Sequence, residues 1–155
     1  MDLFDVSVSA YFSPGKDPED HILGFIKGCT KTLDIAIYSL TSPEICAAVF
    51  EADKRGVAVR FIFDFDNGYS KYSAWTKWIR LARGNIQVKF KSQPGLMHNK
   101  FAIGDGRAVI TGSYNWTETA EKVNHENLVI IRLESVVRKF IIEFDNMWNT
   151  FGALA

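Results

Sequence analysis

The stretch from Val57 to Phe65, Val-Ala-Val-Arg-Phe-Ile-Phe-Asp-Phe, limits the fold more than any other segment. It is rich in β-branched and aromatic residues and nearly continuous in its apolarity. Such a strand must be covered on both faces, because an alternating pattern would leave one face to water. The preceding residues supply that cover. Val6 to Phe12 alternates apolar with small or polar side chains and reads as a first strand, turned by Pro14-Gly15. Asp17-Pro18-Glu19-Asp20 opens a helix, with an early proline and acids that complement the helix dipole, and turns Ile22, Leu23, Phe25 and Ile26 inward. Thr32 to Tyr38 is a second strand. Ser42-Pro43-Glu44 opens another helix, which Lys54-Arg55-Gly56 closes with cations and a terminal glycine. Strand, helix, strand, helix, strand predicts right-handed crossovers and parallel pairing in this half.

The second half predicts a helix from Tyr69 to Arg83, with Trp75, Trp78, Ile79 and Ala82 on one stripe, then a strand from Ile86 to Phe90. Lys91 to Leu96 is a loop. Lys100 to Gly104 and Ala108 to Ile110 are apolar runs joined by Gly104-Asp105-Gly106, which reads as a β-hairpin. A polar segment, Thr117 to Val123, precedes a strand from Glu126 to Arg132. A last helix, Ser135 to Phe151, sets Val136, Phe140, Ile141, Phe144 and Trp148 along one face. The expected fold is α/β: a mixed, largely parallel β-sheet flanked by helices on both faces, as a single domain over residues 1–155. No repeat or low-complexity stretch is present.

No run of about 18 apolar residues occurs, so no membrane span is expected. The start, Met1-Asp2-Leu3-Phe4-Asp5, lacks the basic and apolar regions of a signal peptide. A cytoplasmic protein is the expectation, or a periplasmic or secreted one if a signal has been removed. Cys29 and Cys46 fall in predicted helices and read as small buried hydrophobes. Net charge is zero, yet it is unevenly spread. Residues 1–66 carry 6 basic and 11 acidic side chains, residues 67–104 carry 7 basic and none acidic, and residues 105–155 carry 5 and 7. The basic block ends at the hairpin and suits a polyanionic partner.

The open end of that hairpin gathers reactive groups. His98 and Lys100 are two residues apart and share a face, as do Ser113 and Asn115 after the second strand. An imidazole, an ammonium, a hydroxyl and an amide together suit a phosphodiester: a nucleophile or proton carrier, a charge for the phosphoryl oxygens, and two neutral donors. His98-x-Lys100, four residues, Asp105, six residues, Gly112-Ser113-x-Asn115 resembles the HxKx4Dx6GSxN signature of the phospholipase D superfamily, most nearly its small single-motif (Nuc-like) endonucleases. The likeness extends to Tyr11-Phe12-Ser13-Pro14, to Ile37-Tyr38-Ser39 and to Asn124-His125-Glu126-Asn127.

The resemblance implies a metal-independent nuclease without a cofactor, working through a phosphohistidine. It further implies a homodimer, because superfamily members pair two HxK motifs and neither His21 nor His125 begins a second one. His98, Lys100, Ser113, Asn115 and Glu126 are the expected catalytic residues, with Glu126 accepting the Nδ1 proton of His98. Asp105 and Gly112 are expected to be structural, and His125 outward-facing or structural. Lys71, Tyr72 and Lys91 are candidates for substrate contact, with tyrosine able to stack on a base. The expected partner is DNA, possibly single-stranded, or RNA, with no membrane. A lipid hydrolase acting on cardiolipin, or a nucleic-acid-binding module with little turnover, are the alternative readings. Asp64-x-Asp66 at a strand end also resembles the metal-holding aspartates of haloacid-dehalogenase-like phosphatases, but Asn67 departs from that pattern and no downstream lysine and acidic pair completes it. A strand-end turn is the simpler account.

Overall fold

The computed structural model describes residues 6–64, 86–91 and 93–152. The helix expected over Tyr69 to Arg83, with Lys71 and Tyr72, lies outside these, as does Asp66. The elements are β1 (Val8–Phe12), α1 (Asp17–Gly28), β2 (Thr32–Ile37), α2 (Pro43–Lys54), β3 (Ala58–Asp64), β4 (Gln87–Lys91), β5 (Lys100–Gly104), β6 (Ala108–Gly112), α3 (Glu118–Lys122), β7 (Asn127–Ile131) and α4 (Glu134–Thr150).

Among the described residues the strands form one sheet in the order β1-β7-β6-β5-β2-β3-β4. It is mixed, with helices against both faces. Five of the seven strands point the same way, yet only β2–β3 and β3–β4 are parallel neighbours, because β5 and β7 run antiparallel between the others. The expected parallel pairing of the first half therefore holds for β2 with β3 and fails for β1. That strand pairs antiparallel with β7 at the far edge, from Val8 opposite Ile131 to Phe12 opposite Asn127. Its composition explains the place. Val8 and Phe12 are about two-thirds exposed, so the strand has one face to bury and fits an edge. The hairpin β5–β6 takes the flank of β2 instead.

The apolar run of β3 divides between two cores. Phe61 and Phe63 join Leu33, Ile35 and Ile37 of β2 against Ile22 and Ile26 of α1 and Ile45 and Val49 of α2. Ile62 joins Ala36, Phe101, Ile103 and Val109 against Val137, Phe144 and Met147 of α4. Arg60, the one basic residue in the run, lies on the α4 side. Its guanidinium donates to both oxygens of Asp34 at 2.7 and 2.8 Å, meets Asp145 at 3.1 Å and stacks 4.8 Å from the Phe144 ring centre. Buried charge is tolerated there because it is paired.

Local signals account for most boundaries. Ser42 caps α2, its hydroxyl accepting the Ile45 N–H at 3.2 Å. Thr117 does the same for α3 through the Ala120 N–H at 3.2 Å, so the polar segment contains a short helix. Cys46 lies in α2, whereas Cys29 caps the end of α1. Both thiols are free and buried, and burial pushes each up to about 12, which suits inert packing groups. No helix among the described residues is long and apolar enough to cross a membrane.

Candidate active site

The hairpin β5–β6 has a closed end and an open one. At the closed end Asp105 adopts a positive φ of 52°, a conformation aspartate tolerates better than most residues. Its carboxylate accepts from the backbone N–H groups of Thr30, Lys31 and Thr32 at 2.7 to 3.1 Å and from the Thr30 hydroxyl at 3.1 Å. Burial pushes this carboxyl up, but the Thr32, Lys31 and Thr30 donors outweigh it and hold it below the usual carboxylate range. Asp105 thus fastens the turn to the junction of α1 and β2.

The open end is built by three connections. Asp64, 3 % exposed at the end of β3, accepts the Met97 N–H at 2.9 Å, fixing the backbone just ahead of His98. His98 itself lies before β5 and not on it, because ladder pairing begins at Lys100 opposite Ile37. The exposed imidazole packs edge-on against Tyr38, with ring centres 4.6 Å apart. The buried Lys100 folds back, so that its ammonium donates to the His98 carbonyl at 2.8 Å and lies 3.3 and 3.4 Å from the two ring nitrogens. It also sits 5.3 Å from the Tyr38 ring centre. Burial lowers the Lys100 pKa and the charge of Glu126 works against that shift. The expected convergence of His98 and Lys100 is present.

Gly112 ends β6 with φ 153°, and a Cβ there would stand 2.2 Å from the Asn127 carbonyl oxygen. Only glycine allows β6 and β7 to approach so closely. Ser113 follows. Its hydroxyl donates to Glu126 and accepts from the Asn127 backbone and side-chain N–H groups at 3.1 and 3.3 Å. The other Glu126 oxygen accepts from Asn124 at 3.1 Å, and the Glu126 N–H reaches the Ser13 hydroxyl at 3.1 Å. Glu126 is therefore bound to Ser113 and Asn124, whereas the resemblance had implied His98. Asn115 is half-buried, and its Oδ1 and the buried Tyr114 hydroxyl have no hydrogen-bond partner among the described residues. His125 is exposed.

Lys91 is held by its own loop. Its ammonium donates to the carbonyls of Gln93, Pro94 and Gly95 at 2.6 to 2.9 Å, holding the loop that leads to His98. Two contributors, Tyr38 and Asp64, were not among the expected site residues, although Tyr38 fell within the family likeness and Asp64 was read as part of a strand-end turn. Tyr38 follows β2, and only the pairing of β2 with β5 could have placed it beside His98. Among the described residues no group of three or more His, Cys, Asp or Glu is arranged to hold a metal ion.

Residues 22–148 match the family described as cardiolipin synthase, phospholipase D-like domain. The mitochondrial cardiolipin hydrolase of Homo sapiens is 36% identical over 138 residues, which are 89% of this chain and 54% of that protein. The chain thus spans about half the length of such relatives. Among solved structures, the phospholipase D family member Nuc from Salmonella typhimurium superposes with a TM-score of 0.88 at 28% identity, covering 97% of this chain and 99% of that one. NucT from Helicobacter pylori gives 0.86 at 25% identity, covering 97% and 100%.

Proposed function

This chain belongs to the phospholipase D superfamily, and we propose that within it the protein is a metal-independent phosphodiesterase that cleaves nucleic acid. The observation that carries the reading is the packing of the Lys100 ammonium against the exposed His98 ring, 3.3 Å from Nδ1, at the open end of the hairpin. A neutral imidazole at that place can attack phosphorus while the ammonium holds the non-bridging oxygens. An N–P bond forms and a P–O bond breaks. The leaving oxygen needs a proton, which the His98 of a second copy supplies across a two-fold axis. That second imidazole then takes a proton from water as the water oxygen displaces the first imidazole. Asn115 is a neutral donor to the phosphoryl oxygens, and Ser113 becomes a second when its single O–H turns from Glu126 to the phosphate, each worth about 3 kcal/mol in the transition state. For Glu126 to accept the His98 Nδ1 proton, one of its oxygens must leave Ser113 or Asn124. Until then it bears on the site through its charge on Lys100.

Nucleic acid as the substrate rests on the seven basic and no acidic side chains of residues 67–104. Hydrogen bonds from Lys89 and Lys91 to carbonyls leave their positive charge in place. A lipid phosphodiester is the second reading, favoured by the name of the human relative. The test is cleavage of single-stranded DNA, duplex DNA, RNA and cardiolipin vesicles in excess EDTA, by the wild type and by His98→Ala. Hydrolysis of a nucleic acid that persists with chelator and vanishes in the variant is expected. Turnover of vesicles alone would select the lipid reading, and binding without turnover the binding module. Full activity from a species that sediments as a monomer would remove the two-imidazole mechanism.

A further inference from the structure

A cavity of about 350 Å³ opens at the other end of the hairpin, between α1 and the sheet. It exists because the residues that would fill it are small. A Cβ added at Gly24 or Gly28 of α1 would meet nothing within 4 Å, whereas at Gly104 it would stand 3.0 Å from the Phe25 ring and 2.9 Å from the Cys29 sulfur. The floor is therefore apolar and shallow, and the rim is charged.

Arg132 continues the alternation of Leu128 and Ile130, which face α1, and so reaches the rim. The only hydrogen bond of its guanidinium among the described residues is a long one, 3.4 Å to the Ser7 hydroxyl. Arg107, in the hairpin turn beside it, is exposed, and its guanidinium has no partner among the described residues. Across the opening, Tyr11 and His21 stack at 3.5 Å and form a flat wall. Asp20 contributes a carboxylate. Asp105 also lines the space, but its oxygens are taken by Thr30, Lys31 and Thr32.

We propose that this cavity is a second ligand site that takes a nucleoside monophosphate, with the phosphate on Arg107 and Arg132 and the base against the Tyr11–His21 wall. Each guanidinium presents the planar fork of donors that phosphate oxygens accept. Two aspartates make the lining close to neutral, which disfavours a bare anion and suits a ligand that also brings N–H or O–H donors for Asp20. The volume lies within the range of small-molecule sites. The four steps of β5 from Lys100 to Gly104 put about 13 Å between Lys100 and this cavity, so occupancy does not require the catalytic reading to hold.

Calorimetric titration of the full chain with adenosine monophosphate, and separately with adenosine and inorganic phosphate, tests the proposal. Saturable binding of the nucleotide, stronger than that of either half, is expected. Arg107→Ala/Arg132→Ala removes two exposed side chains and should weaken it about tenfold or more. Gly24→Leu fills open space without altering charge and should do the same. His98→Ala should leave it unchanged. Binding that survives both cavity variants, binding that disappears with His98, or no heat from the nucleotide at about 1 mM would each overturn the assignment.

Discussion

The two ends of the β5–β6 hairpin carry the same signature and do opposite things. At the closed end every carboxylate oxygen of Asp105 is engaged by amide or hydroxyl donors, and the charge is stabilised by the fold. At the open end His98 is exposed, Lys100 is held in a position that disfavours its charge, and the Asn115 Oδ1 lacks a partner. Satisfied groups hold structure, while strained or unpartnered ones are available to a substrate. On the proposed function, the residues of one signature divide into those whose loss unfolds and those whose loss silences.

Four substitutions can break or sharpen that division. His98→Ala should lower kcat by about 10⁴-fold or more while moving Tm by no more than about 2 °C. A large drop in Tm would show that the open end is structural too. Gly112→Ala should cost about 3 kcal/mol or more in urea unfolding, because its methyl meets a backbone carbonyl that cannot swing away. It should also impair cleavage, since Ser113 and Glu126 move with it. Asp105→Ala should cost about 2 kcal/mol, with kcat per folded molecule within about twofold of the wild type. The pH dependence of that cost has a definite sign. The folded carboxyl is held below its unfolded value, near 3.9, so its stabilisation is complete above that pH and disappears as acid protonates the folded form. The difference between wild type and variant should shrink accordingly in acid melts. Lys91→Met should have the smallest effect, about 1 kcal/mol. If its ammonium serves only the loop, the salt dependence of nucleic-acid binding will keep its slope. A fall of about one ion would show that Lys91 touches phosphate.

Much of this arrangement was legible in the chain. The cap at Ser42, the apolar run of β3 and the turn at Asp105 are decided within a few residues, and there local reading works, whereas the short helix capped by Thr117 was read only as a polar segment. The spacing of His98 and Lys100 brought their side chains together even though His98 stands off the strand. What escaped depends on distant partners. β1 contains nothing that names β7, since an alternating edge strand fits any partner of suitable length. The link from Ser113 to Glu126 is a choice of rotamer among neighbouring donors, and the three carbonyls that claim Lys91 come from a loop whose shape no pattern encodes. Tyr38 entered the site only through the register between β2 and β5.

Gly112 also limits how such a chain can change. With the Asn127 oxygen 2.2 Å from where a first side-chain carbon would go, the position holds a hydrogen atom or the two strands separate. Any lineage that replaced it would have to re-form β6 and β7 in the same step. The floor beneath Ser113 is thus closed to gradual drift.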